Sequence, residues 1–127
     1  MKTCHVTITT TVDGVESSIS RKGELSLDML SAKLRYREEN AIVALAWEKQ
    51  SLTIVREGDY TLRLHLQEGK ITDGSIGLTG SDGVIQTQTY RLACSMQKQS
   101  FLLSAHYGLL IGGETQDMKI RLLAKEI

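Results

Sequence analysis

Proline is absent from all 127 residues, and there are only two cysteines, one tryptophan and one phenylalanine. With no proline, and with Thr, Val, Ile and Leu spread over most of the length, the chain does not read as disordered or linker-rich, and no hinge divides it. It fits one domain, residues 1–127, long enough to bury a core without disulfide or metal staples. Cys4 and Cys94 are far apart and form no CxxC spacing, so each reads as a small buried hydrophobe rather than a metal ligand; a disulfide between them would be unusual in a cytosolic chain. An excess of either charge is also missing, because fifteen Lys plus Arg balance fifteen Asp plus Glu. The sum supplies no long-range field to gather phosphate backbones or an anionic membrane, so neither nucleic acid nor membrane is expected as a partner. No window is long and apolar enough to span a bilayer, and Met1-Lys2-Thr3-Cys4-His5 lacks the apolar run of a secretory signal, so a cytoplasmic location is expected.

What is present is alternation. From Leu30 to Glu39, Leu30, Ala32, Leu34, Tyr36 and Glu38 share one face, while Ser31, Lys33, Arg35, Arg37 and Glu39 share the other. A period of two marks a half-buried β-strand and aims Glu38 at the rim of the core. The residues from Ser26 to Lys49 are good helix formers, and Leu27, Leu30, Leu34, Ala41, Ile42 and Leu45 also fit a helical stripe, so propensity and periodicity disagree there. The complete alternation favours strands. Ile42 to Trp47 is apolar on both faces, as in a strand covered on each side, by a short helix at Ser26 to Leu30 or by a partner chain.

The same reading extends to both ends. Cys4, Val6, Ile8 and Val12 are in phase before Asp13-Gly14, the dipeptide suited to a two-residue hairpin turn. A weaker strand runs from Val15 to Arg21 or Leu25, with Gly23 marking a bulge or bend. Later strands place Leu52, Ile54 and Arg56, then Leu62, Leu64 and Leu66, then Tyr90, Leu92, Cys94 and Met96, then Phe101 to Tyr107, then Met118 to Ala124. Between them Gly74, Gly77, Gly80 and Gly83 recur at every third place, which reads as a poor edge strand plus a turn. The expected fold is all-β, a single closed antiparallel meander barrel of eight or nine strands, because closure removes the open edges such a sheet would leave. A sandwich is the alternative.

Leu34-Arg35-Tyr36-Arg37-Glu38-Glu39, Leu52-Thr53-Ile54-Val55-Arg56-Glu57-Gly58, Leu103-Ser104-Ala105-His106-Tyr107, Gly112-Gly113-Glu114 and Met118-Lys119-Ile120 together resemble the YwiB-like family of small bacterial barrels. The resemblance covers nearly the whole chain and implies a lipocalin-like (calycin) fold. It attaches no catalytic residue set and no cofactor.

With strands running up and down, Glu38 and Arg56 end at one rim, Tyr60 opens the next strand there, and Tyr36 lies one inward step below Glu38. Tyr36, Glu38, Arg56 and Tyr60 are thus the candidate ligand-binding residues. A salt bridge closing the core is the plainer expectation, with the carboxylate and guanidinium forming a bidentate pair. The functional alternative is that Arg56 holds the acidic head of an apolar ligand whose body lies among Leu34, Ile54, Leu62, Leu64 and Leu92. His5, His65 and His106 have no neighbour at metal-ligand spacing, and neither a GxSxG motif nor a Cys/His pairing nor a phosphate loop occurs, so no enzyme, metal or cofactor is expected. The function expected is binding of a small apolar or amphipathic ligand; the alternative is a filled barrel acting as a structural or interaction domain, a homodimer formed through Ile42, Val43, Leu45 and Trp47.

Overall fold

The computed structural model describes every residue except Thr79, which lies inside the glycine-rich segment. Ten strands follow in order: β1 Lys2–Val12, β2 Val15–Leu27, β3 Ser31–Glu38, β4 Ala41–Glu48, β5 Ser51–Gly58, β6 Thr61–Gln67, β7 Ile71–Leu78, β8 Ser81–Gln97, β9 Ser100–Ile111 and β10 Glu114–Glu126. Each pairs antiparallel with the next, and β1 pairs with β10, so the meander closes into a barrel. That is the expected architecture with ten strands rather than eight or nine. No helix occurs among the described residues, so none is long and apolar enough to cross a membrane.

Short turns set the registers. Asp13 and Gly14 both take positive φ, as do Lys49 and Gln50, and Gly112 and Gly113; each pair joins strands whose flanking residues face one another. Two residues with φ > 0 match the twist of the strands they connect, which is why Asp13-Gly14 was legible as a turn. At the first end of the barrel lie the turns at 13–14, 39–40, 59–60 and 112–113, together with Gly80. The second end carries those at 28–30, 49–50, 68–70 and 98–99.

Inward residues from all ten strands form the core, among them Val6, Leu25, Leu34, Leu45, Ile54, Leu64, Phe101, Leu103 and Leu122. Several expectations need correction. Residues Ser26 and Leu27 belong to β2, and the chain turns at Asp28–Leu30, so no helix covers β4 and Leu30 is exposed rather than the first inward residue of β3. Gly23 is not a bulge: it pairs in register with both Cys4 and Tyr36, and a Cβ there would come within 2.6 Å of the Arg35 carbonyl. Val43, Leu45 and Trp47 point into the barrel and are buried, which leaves Ile42 as the outward member of the proposed dimer set. The reason is parity: β4 is apolar on both faces, and its outer Ile42, Ala44 and Ala46 are only half-buried.

The remaining correction lies in β8. Its pairing with β9 slips between Thr89 and Arg91, where a bulge inserts Tyr90 and resets which side chains face in. Ile85, Thr87 and Thr89 are inward before it, and Leu92, Cys94 and Met96 after it, so Tyr90 turns outward instead of joining them. The turn between β6 and β7 secures the irregularity. Gly69 N–H donates to the Thr89 carbonyl at 2.8 Å, Thr89 N–H donates to the Lys70 carbonyl at 3.0 Å, and Leu92 N–H donates to Glu68 Oε1 at 3.0 Å. The groups that the bulge withdraws from the ladder are thereby satisfied.

Candidate functional site

At the first end, β3 and β5 flank β4 and finish side by side, as the parity of Glu38 and Arg56 requires. The charges meet, but not as a bidentate pair. Arg56 Nε lies 3.9 Å from Glu38 Oε2, whereas its NH2 reaches Asp59 Oδ1 at 2.7 Å and its NH1 donates to the Tyr60 carbonyl at 2.9 Å. The guanidinium carbon sits 3.7 Å from the centre of the Tyr60 ring, close enough for a cation–π contact. Tyr60 therefore meets Arg56 with its ring face and backbone. Tyr36 is buried below the rim, and its phenol is pushed up by burial and by the nearby Glu38 carboxylate.

Electrostatics follow this geometry. Asp59 is held below the usual carboxylate range by its hydrogen bond to Arg56. Partial burial acts to lower the Arg56 pKa, but the Asp59 hydrogen bond and the neighbouring Tyr60, Asp59 and Glu38 together raise it. The Arg56 side chain is 13% exposed, Glu38 33% and Asp59 56%, so the arrangement is a partly wet clasp. Asp59 sits in the Arg56-Glu57-Gly58-Asp59-Tyr60 turn, outside the inward-facing parity that located the others. An acid three residues after an arginine across a turn is the signal that could have found it.

The apolar residues named for a ligand body divide between core and surface, with Leu62 half-buried opposite Arg56. Leu34, Ile54 and Leu64 are packed into the core, and Leu92 is at the other end of the barrel. There, a cleft of about 700 Å³ is lined by Asp28–Ser31, by Trp47–Gln50, and by Leu92, Ala93, Cys94 and Met96. Its origin is the mismatch in strand length. β7 begins at Ile71, opposite Gln88, so the part of β8 from Leu92 to Gln97 pairs with β9 alone. The wall is left open beside an inward row of Leu92, Cys94 and Met96, with Trp47 facing them from β4 and the exposed Met29 and Leu30 above.

The cleft is chemically mixed. Its floor is apolar, and Asp28, Glu48, Lys49 and Gln50 supply polar groups at the margin. Cys94 is a free thiol, pushed up to about 11 by burial, which leaves little thiolate at neutral pH. Deeper on the same strand, the Oγ1 atoms of Thr87 and Thr89 are buried without a hydrogen-bond partner. Such orphaned hydroxyls are uncommon in folded proteins. No cluster of three or more His, Cys, Asp or Glu suited to a metal ion occurs among the described residues.

A family model described as a domain of unknown function, DUF1934, matches residues 4–122. The chain belongs to that family. The DUF1934 match spans all ten strands, so the barrel as a whole is the family's unit. The crystal structure of the YwiB protein from Bacillus subtilis has a similar fold: the TM-score is 0.84 over 99% of this chain and 92% of that one, with 13% sequence identity. No curated protein matches the chain. The YwiB-like, all-β reading of the sequence is thus established for this DUF1934 barrel, and at 13% identity the likeness to YwiB speaks to fold alone.

Proposed function

We propose that this protein is a lipocalin-like binding protein that takes a small apolar or amphipathic ligand at the cleft beside Trp47, without catalysing a reaction. The observation that carries the reading is the gap in the barrel wall: an apolar cleft of about 700 Å³ opening where β8 has no second neighbour. Clefts of several hundred cubic ångströms with a few polar groups are the usual form of small-molecule sites. The ligand's apolar part lies on Trp47, Leu92 and Met96. Its polar part faces Lys49 and Gln50 at the margin. The Arg56 clasp is, in this reading, a structural closure of the opposite end. Free thiols at Cys4 and Cys94 fit a cytoplasmic setting.

Trp47 is the only tryptophan, so intrinsic fluorescence reports on the cleft directly. Titration with a series of straight-chain fatty acids is expected to give a saturable change of one-site form, and Met96→Arg, at a half-buried position of the cleft, should abolish it while leaving the circular dichroism spectrum intact. Absence of any saturable change across the series would sink the reading. A second reading, a homodimer through the outer face of β4, draws on the half-buried Ile42, Ala44 and Ala46. Sedimentation equilibrium distinguishes it, because Ile42→Glu should then convert a dimer to a monomer.

A further inference from the structure

The cations and carboxylates cancel in sum but not in space. Acids gather at the ends of the barrel, in or beside turns, as with Asp28, Glu38, Glu48, Glu57, Asp59 and Glu68. One stretch of the wall between the ends is basic. On the outer face of β10, Lys119, Arg121 and Lys125 follow at strand periodicity, interrupted by Leu123. At the rise of a β-strand this row spans about 20 Å. Lys119 stands opposite His106 of β9, and His106 stands opposite Arg91 of β8. Toward the other flank, Lys125 faces His5 of β1, which faces Lys22 of β2. Glu16, opposite Thr11, and Asp117, hydrogen-bonded to His106 at 2.7 Å, border the row.

The bulge in β8 adds an aromatic surface at the head of this row. Tyr90 leaves the barrel interior there and lies against the sheet, its ring 5.0 Å from that of His106 and tilted by 53°. A Cβ on Gly108 would come within 3.0 Å of the Tyr90 hydroxyl, so the glycine makes room for the ring to lie down. The ring remains 44% exposed. Hydroxyls fill the places between cations: Ser104 and Thr9 stand on either side of Arg121.

We propose that this wall binds single-stranded nucleic acid, with phosphates along the β10 row and a base stacked on Tyr90. A line of cations beside an exposed aromatic ring combines the two elements by which single strands are held without sequence preference. The net charge of zero conceals this because it averages the wall with the ends. An anionic membrane fits less well. Around the row the apolar side chains are Leu102, which is exposed, and Leu123, which is half-buried, and two such residues offer little to insert among headgroups.

The test is fluorescence anisotropy of a labelled oligouridylate of roughly 20 nucleotides, chosen to exceed the length of the row. Binding is expected at about 50 mM salt and should weaken by roughly 50-fold at about 200 mM if about four phosphates are neutralised. The double variant Lys119→Glu/Arg121→Glu should lose affinity by at least roughly tenfold, Tyr90→Ala by roughly 5- to 100-fold, and Tyr90→Phe should retain it. Unchanged Trp47 fluorescence titrations and urea midpoints in these variants separate the wall from the cleft and from misfolding. No binding at the lower salt, equal affinity of the charge-reversed variant, or equal affinity of Tyr90→Ala overturns the proposal. Tighter binding to phosphatidylglycerol vesicles than to the oligonucleotide overturns it in favour of a membrane surface.

Discussion

Arg56 divides its guanidinium among a carboxylate in the adjacent turn, a backbone carbonyl and the face of an aromatic ring, with Glu38 a more distant fourth. Its loss therefore leaves no fully buried charge behind. Asp59 and Glu38 regain water, and what disappears is a cation–π contact and a part-exposed ion pair, so Arg56→Ala should cost about 1 kcal/mol in urea unfolding. A loss of about 3 kcal/mol or more would instead mean that Glu38 is stranded in a dry site. The same clasp sets a pH dependence. Asp59 has a lower pKa folded than unfolded, so its contribution is complete above the ordinary carboxylate range and disappears as the pH falls through the depressed folded value. Urea midpoints of Asp59→Asn should therefore fall less between about pH 5 and 2 than those of the parent. Cys94 offers a third test at this scale. With its thiol at about 11, it should react with an aromatic disulfide reagent far more slowly than a free thiol at neutral pH, and more slowly still when a fatty acid occupies the cleft.

The elements differ in how openly the sequence declares them. β3, β6, β9 and β10 were legible because unbroken alternation requires only a core on one side, and no distant partner. β8 was not, since its parity reverses at Tyr90 and the reversal depends on Glu68, Gly69 and Lys70, some twenty residues earlier, supplying the hydrogen bonds that the bulge forgoes. The cleft was missed for a related reason: it arises because β7 begins only opposite Gln88 while β8 runs on to Gln97, a difference in length that local pattern does not encode. The rim was legible in position but not in partner, because Glu38 and Arg56 follow strand parity whereas Asp59 belongs to a turn. Turns also limit what may be substituted. A Cβ at Gly58 would strike the Asn40 carbonyl and come within 2.7 Å of the Ala41 Cβ, so Gly58→Ala should lower the unfolding free energy by about 2 kcal/mol, read from denaturant midpoints.

Across the whole molecule, burial governs the alkaline limit. Tyr107 is raised to about 12 by burial, and Tyr36 is raised further by burial together with Glu38. Both groups hold their protons more tightly folded than unfolded, so their contribution is complete below the ordinary phenol range and is lost as the pH climbs through the raised values. Urea midpoints should thus fall progressively as the pH rises above about 10, with phenolate absorbance from Tyr36 and Tyr107 appearing only as the fold is lost.

The ladder between β1 and β10 pairs residues more than a hundred positions apart, from Cys4 with Glu126 to Val12 with Met118. Every other ladder joins neighbours along the chain, so nine hairpins can assemble locally while this seam must wait for the two ends of the meander to find each other. Because no proline is present, no prolyl isomerisation can supply a slow refolding phase. The slow step expected in a stopped-flow experiment is the zipping of that seam, with the contacts between the first strand and the last forming after the hairpins.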